Sequence, residues 1–151
     1  VEYARNVANL KGAHTTEVHS TTKHPVITIL DDQAQALASD KFGGSMRLGS
    51  QPCRISKNTL THKLYKSEQI SERHRHRYEL NPLYAEILSS NGLVIAGKHA
   101  KHNLVEIVEL PQSDHPFYIC VQFHPEFLSR PLDPHPIFNG LISASVTKNS
   151  K

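Results

Sequence analysis

The chain has 151 residues, 38% of them hydrophobic and 21% charged, enough to bury one core and too few for two. Its mean hydropathy of −0.43 fits a soluble, somewhat polar globular protein and gives no indication of disorder. The net charge of +3 comes from 17 scattered Lys and Arg residues, so no polybasic block marks a nucleic-acid partner, and two cysteines are too few for a disulfide framework.

No apolar run approaches the roughly 20 residues that cross a bilayer. The start Val1-Glu2-Tyr3-Ala4-Arg5 lacks the basic and apolar stretches of a signal peptide. A cytoplasmic setting with no membrane partner is expected, and the absence of an initiator methionine reads as a cut within a longer coding sequence. Apolar residues at Val1, Ala4, Val7 and Ala8 predict a helix to Leu10, stopped by Lys11-Gly12. Pro25 introduces Val26-Ile27-Thr28-Ile29-Leu30, a β-branched run with the character of a buried strand. Asp31–Phe42 is polar and aperiodic, a surface loop; Gly43-Gly44 permits a tight turn; and Ser45–Ile55 reads as two strands broken between Gly49 and Pro52.

Asn58 is the expected cap of a short helix through Tyr65, with Leu60 and Leu64 on one side. Ile70–Leu80 alternates as one strand, with His74, His76 and Tyr78 on one face and Arg73, Arg75, Arg77 and Glu79 on the other. Asn81-Pro82 opens a helix striped by Leu83, Ile87 and Leu88 and ended by Asn91-Gly92. Leu93–Gly97, Leu104–Leu110 and Phe117–Phe123 read as three strands, the last so apolar that a central position is expected, and a helix from Pro136 to about Val146 closes the chain. With no repeat and no Pro- or Gly-Ser-rich linker, one α/β unit with a mixed sheet and flanking helices is expected.

The sharpest chemical signal is Val121-Gln122-Phe123-His124-Pro125-Glu126-Phe127, where an apolar strand runs into an imidazole and a carboxylate two positions apart. Strand ends in open α/β sheets face the ligand crevice, and a carboxylate beside an imidazole fixes its tautomer and stabilises its cation. By itself the motif more often marks a His-Pro turn carrying an exposed Glu.

The stretch from Gln122 to Pro131 resembles the segment that carries the His and Glu of the Cys-His-Glu triad in class I glutamine amidotransferases, and in the CTP synthase family particularly. Glu2-Tyr3-Ala4-Arg5-Asn6-Val7, Thr16-Glu17, Gly43-Gly44-Ser45-Met46-Arg47-Leu48-Gly49, Glu72-Arg73-His74-Arg75-His76-Arg77-Tyr78-Glu79 and Phe138-Asn139-Gly140-Leu141 resemble other segments of that family, in the same order. The resemblance implies a flavodoxin-like, three-layer class I amidotransferase domain. It makes His124 the general base and acid, Glu126 its orienting carboxylate, and Glu17 and Arg77 the groups that hold the substrate glutamine. An ammonium meeting a carboxylate and a carboxylate meeting a guanidinium is sound chemistry for a free amino acid. Gly43-Gly44 and Arg47 are expected to support the site through the backbone. Ser45 stands where the family more often has Thr.

The departure is at the front. In that family the segment like Val1–Leu10 follows a Gly-x-Cys-x-Gly nucleophile elbow, which these residues do not include. The resemblance therefore implies a partial domain over residues 1–151, lacking its N-terminal strands and its thiolate, and inactive alone. Cys120, four residues before His124 and about 13 Å from it along a strand, is expected to be a buried structural thiol. Cys53 has no glycine elbow and no helix N-terminus behind it. The same resemblance implies a synthetase domain of the same protein as partner, with ATP, UTP and Mg²⁺ bound there and no cofactor in this chain. It also implies GTP as an activator that no residue here can be assigned to, and a homo-oligomer, a tetramer in that family.

Three rivals stay open. His74 and His76 could ligate a metal, against the repulsion of Arg73, Arg75 and Arg77. The Glu72–Glu79 strand could bind RNA or phosphate, although the chain has no Trp and 7% aromatics to stack on bases. The chain could also be a non-catalytic amidotransferase-like regulatory protein.

Overall fold

The computed structural model describes residues 1–30 and 46–149. The loop expected over Asp31–Phe42 and the turn at Gly43-Gly44 lie outside the described residues. The chain divides into two compact units, Val1–Leu48 with Arg75–Gly92, and Gly49–His74 with Leu93–Lys151.

In the first unit, helix α1 (Glu2–Asn6) buries Ala4. It stops four residues before Leu10, because Asn9 takes a left-handed φ of 55° that breaks the helical run. Strand β1 (Ala13–Thr15) runs parallel to β2 (His24–Thr28), which pairs antiparallel with β5 (Glu79–Leu80) in the order β1-β2-β5. Val26 is buried, while its neighbours on β2 are only half-buried. Asn81 caps as expected, its side chain accepting from the Leu83 N–H at 3.1 Å. A 3₁₀ turn (Pro82–Tyr84) then leads into α3 (Ala85–Ser90), and the left-handed Gly92 follows its C-cap, Asn91. Leu88 is buried, but Leu83 is 86% exposed. The tighter 3₁₀ period carries Leu83 off the stripe that an α-helix would have given it.

The second sheet has the order β4-β3-β6-β7-β8, with β3 (Arg47–Ile55), β4 (Gln69–His76), β6 (Val94–His99), β7 (Val105–Glu109) and β8 (Ile119–Val121). In it, β6, β7 and β8 fall within the three runs read as strands, Leu93–Gly97, Leu104–Leu110 and Phe117–Phe123, give or take two residues at their ends. Strand β3 is continuous where a break was expected, since Gly49 takes a φ of +74° inside the strand without ending it. The expected single strand Ile70–Leu80 is instead β4 and β5, in different sheets, separated at Arg77 and Tyr78.

Helix α2 (Leu60–Tyr65) is capped by Thr59, whose hydroxyl accepts from the His62 N–H at 3.0 Å. Asn58, the expected cap, is left-handed at φ 62°, a conformation Asn tolerates. Among the described residues β8 is an edge strand, not a central one. Ile119 and Val121 pack on the core while Cys120 points outward and is exposed, so the thiol expected to be buried is not.

The core of this unit is Cys53, Ile55, Ala96, Ile107, Phe123 and Ile137. Glycine is required at position 97 because a Cβ there would lie 2.8 Å from Ile107 and 2.9 Å from the Cys53 sulfur. Helix α4 (Pro136–Asn149) closes the chain. Parallel and antiparallel pairings together with flanking helices give the mixed α/β architecture read from the sequence.

Candidate active site

Three residues past β8, His124 keeps extended backbone angles, and Pro125 begins a 3₁₀ turn (Pro125–Phe127). Proline suits this place because its fixed φ is preorganised and the first turn needs no N–H. The turn carries Glu126 back beneath His124, and Glu126 Oε1 lies 2.7 Å from His124 Nδ1. The carboxyl is held below the usual carboxylate range, first by a hydrogen bond with its own backbone and then by the His124 bond. An ionised Glu126 accepts a proton-bearing Nδ1, which leaves the lone pair on Nε2. The imidazole also stacks on Phe127, with ring centroids 4.9 Å apart and planes 22° apart. The His124 side chain is 38% exposed, so the imidazole is open to solvent.

The turn is anchored from below. The His124 N–H donates to the Arg73 carbonyl at 2.9 Å, and Phe123 buries itself in the core. On either side of Arg73, Glu72 and His74 point inward from β4 and are buried. Glu72 Oε1 accepts from the Tyr65 hydroxyl at 2.7 Å and lies 3.0 Å from His135 Nε2. Burial, reinforced by the Glu72 charge, pushes the Tyr65 phenol far up, so Tyr65 stays a donor. His74 Nε2 lies 3.5 Å from Glu106 Oε2, both side chains fully buried.

Of the residues singled out in the sequence, His124 and Glu126 are brought into direct contact. Glu17 and Arg77 both belong to the first unit. Glu17 is exposed on the turn after β1, where its N–H donates to the Thr15 hydroxyl at 3.3 Å. Arg77 is half-buried at the bend between β4 and β5. Arg47, in the same unit, donates to the fully buried Glu79 at 3.1 and 3.4 Å.

His74 and His76 each face a different carboxylate, Glu106 and Glu79 respectively, so the two imidazoles do not converge on one point. Among the described residues no group of three or more His, Cys, Asp or Glu is placed to hold an ion, and no described helix is long and apolar enough to cross a membrane. The inward phase of β4 includes Glu72 as well as His74; a carboxylate in register with an inward histidine was the signal that could have marked Glu72, whereas nothing local marks His135 as its partner.

The chain belongs to the class I glutamine amidotransferase family, whose model, glutamine amidotransferase class-I, matches residues 8–144. Within that family it is similar to CTP synthases. It is 51% identical over 144 residues to the CTP synthase of Caldanaerobacter subterraneus subsp. tengcongensis, and 53% identical over 144 residues to that of Aeropyrum pernix. Each match covers 95% of this chain, which spans only 26% of the relative's length. Among solved structures it is similar to the Trypanosoma brucei CTPS glutaminase domain with bound acivicin, at a TM-score of 0.85 and 35% identity, over 97% of this chain and 55% of that one. The likeness establishes the α/β class I amidotransferase fold.

Proposed function

We propose that these residues form the acid–base half of the glutaminase centre of a CTP synthase. The contact between His124 Nδ1 and Glu126 at 2.7 Å, in a chain that matches the amidotransferase family over residues 8–144, carries this reading. Glutamine is the substrate. Glu17 pairs with its ammonium and Arg77 with its α-carboxylate.

A cysteine thiol from a Gly-x-Cys-x-Gly elbow, which does not occur in these 151 residues, gives its proton to His124 Nε2 and attacks the side-chain amide carbon. The imidazolium, stabilised by Glu126, returns that proton to the departing nitrogen. Ammonia leaves and a glutamyl thioester remains. A water molecule, deprotonated by the same Nε2, then hydrolyses the thioester to glutamate and frees the thiol.

The ammonia serves a synthetase domain that aminates UTP at the expense of ATP, where Mg²⁺ and both nucleotides bind. None of the residues described here is assigned to them. The whole enzyme would work as a cytoplasmic homo-oligomer.

The test is glutamate release from glutamine by two proteins. The 151-residue chain alone gives none, and a chimaera placing it after the upstream amidotransferase segment of the Aeropyrum pernix CTP synthase releases glutamate. A folded but inactive chimaera overturns the proposal and favours a non-catalytic amidotransferase-like protein.

A further inference from the structure

The turn that carries His124 and Glu126 is tied at both ends to one buried pair. At its start the His124 N–H donates to the Arg73 carbonyl at 2.9 Å, and Arg73 follows Glu72 in the chain. At its end the Ser129 N–H donates to the Pro125 carbonyl at 3.1 Å. The Ser129 hydroxyl in turn accepts from the His135 N–H at 3.2 Å. His135 Nε2 then meets Glu72 Oε1 at 3.0 Å, which closes a ring from Glu72 through the turn and back.

The proton on His135 can be assigned from its neighbours. Its Nδ1 accepts from the Ile137 N–H at 3.3 Å, so the ring hydrogen sits on Nε2 and points at Glu72. The Tyr65 hydroxyl donates to the same Glu72 oxygen at 2.7 Å. Glu72 Oε2, by contrast, is buried and has no hydrogen-bond partner among the described residues. A buried carboxylate held by one oxygen is costly, and a core made only for stability would gain from replacing it with apolar groups.

We propose that the Glu72–His135 pair is a clamp that fixes the geometry of the catalytic turn, making both of them positioning residues for His124. This inference rests on the glutaminase role given to His124, but the clamp itself can be tested without turnover. Its effect is on the His124 backbone and on the alignment of Nδ1 with Glu126. Both residues of the pair are buried beneath the turn.

Two readouts on the 151-residue chain, labelled with ¹⁵N, test it by NMR: hydrogen exchange at the His124 amide, and the tautomer reported by its imidazole nitrogens. Opening the ring at either arm, with His135→Ala or Ser129→Ala, raises His124 amide exchange by about tenfold or more relative to the Ile107 amide in β7. It also lowers the fraction of Nδ1–H tautomer. Glu72→Gln keeps an oxygen acceptor for both donors and stays within about twofold of the parent chain in exchange.

Ser129 is only half-buried and its variant removes no core group, so this arm remains informative if His135→Ala fails to fold. The clamp is overturned if His124 exchange in Ser129→Ala moves no more than that of Ile107, or if its tautomer is unchanged. A shifted tautomer in Ser129→Ala alongside an inactive wild-type chimaera supports the clamp and removes only the glutaminase reading.

Discussion

Glu126 is held at His124 Nδ1 by a 2.7 Å hydrogen bond, yet the largest influence on its carboxyl is a hydrogen bond with its own backbone, with the imidazole second. Both favour the ionised form, so the carboxyl titrates below the usual value of about 4.3 for a glutamate. Its contribution to stability is therefore complete above the unfolded pKa and is lost as the pH falls through the lower folded one. A ¹³C-detected titration of Glu126 should give a depressed midpoint. His124→Ala should raise it only part of the way back, and a complete return would show that the imidazole alone holds it down.

Glu109, at the end of β7, accepts from the Leu60 N–H at 2.7 Å, the Thr61 N–H at 2.9 Å and the Thr61 hydroxyl at 2.7 Å. Glu109 and Thr61 are buried and Leu60 is half-buried, so water replaces these bonds poorly. Glu109→Ala strands three donors and should cost about 3 kcal/mol, at the usual penalty for buried unsatisfied groups. Urea unfolding at unchanged m-value measures it. A loss below about 1 kcal/mol would mean that the helix start is solvated after all.

Gly97 leaves no room for a methyl group between Ile107 and Cys53. Gly97→Ala should destabilise by about 1–3 kcal/mol through overpacking. Adding Cys53→Ala removes the sulfur at 2.9 Å, so the double variant should cost less than the two single ones together. Chemical denaturation of the four-member cycle gives the coupling, and strict additivity would show that Ile107 alone sets the limit.

Much of this architecture is legible from local pattern. The strands β6 and β7 and the helix α4 follow from runs of apolar residues bounded by turn signals, and His124-Pro125-Glu126 brings its imidazole and carboxylate together because a proline-led turn leaves them little freedom. Errors fall where tertiary context decides. Phe117–Phe123 is apolar because Phe117, Ile119, Val121 and Phe123 all pack on the core, although β8 is an edge strand and leaves Cys120 exposed. Leu83 left its stripe because a 3₁₀ turn replaced the first helical turn. Glu72 and His135, 63 positions apart, meet only in the folded chain, and no local periodicity couples them.

In the proposed reaction His124 moves the protons of amide cleavage. The most direct test is glutamate release by the active chimaera carrying His124→Ala, with a Glu126→Gln variant beside it. His124→Ala should lower kcat by about a thousandfold or more, the scale set by loss of a triad member, and Glu126→Gln should lower it less. Retention of kcat within about tenfold after His124→Ala, above what general acid–base catalysis allows to remain, would contradict this role.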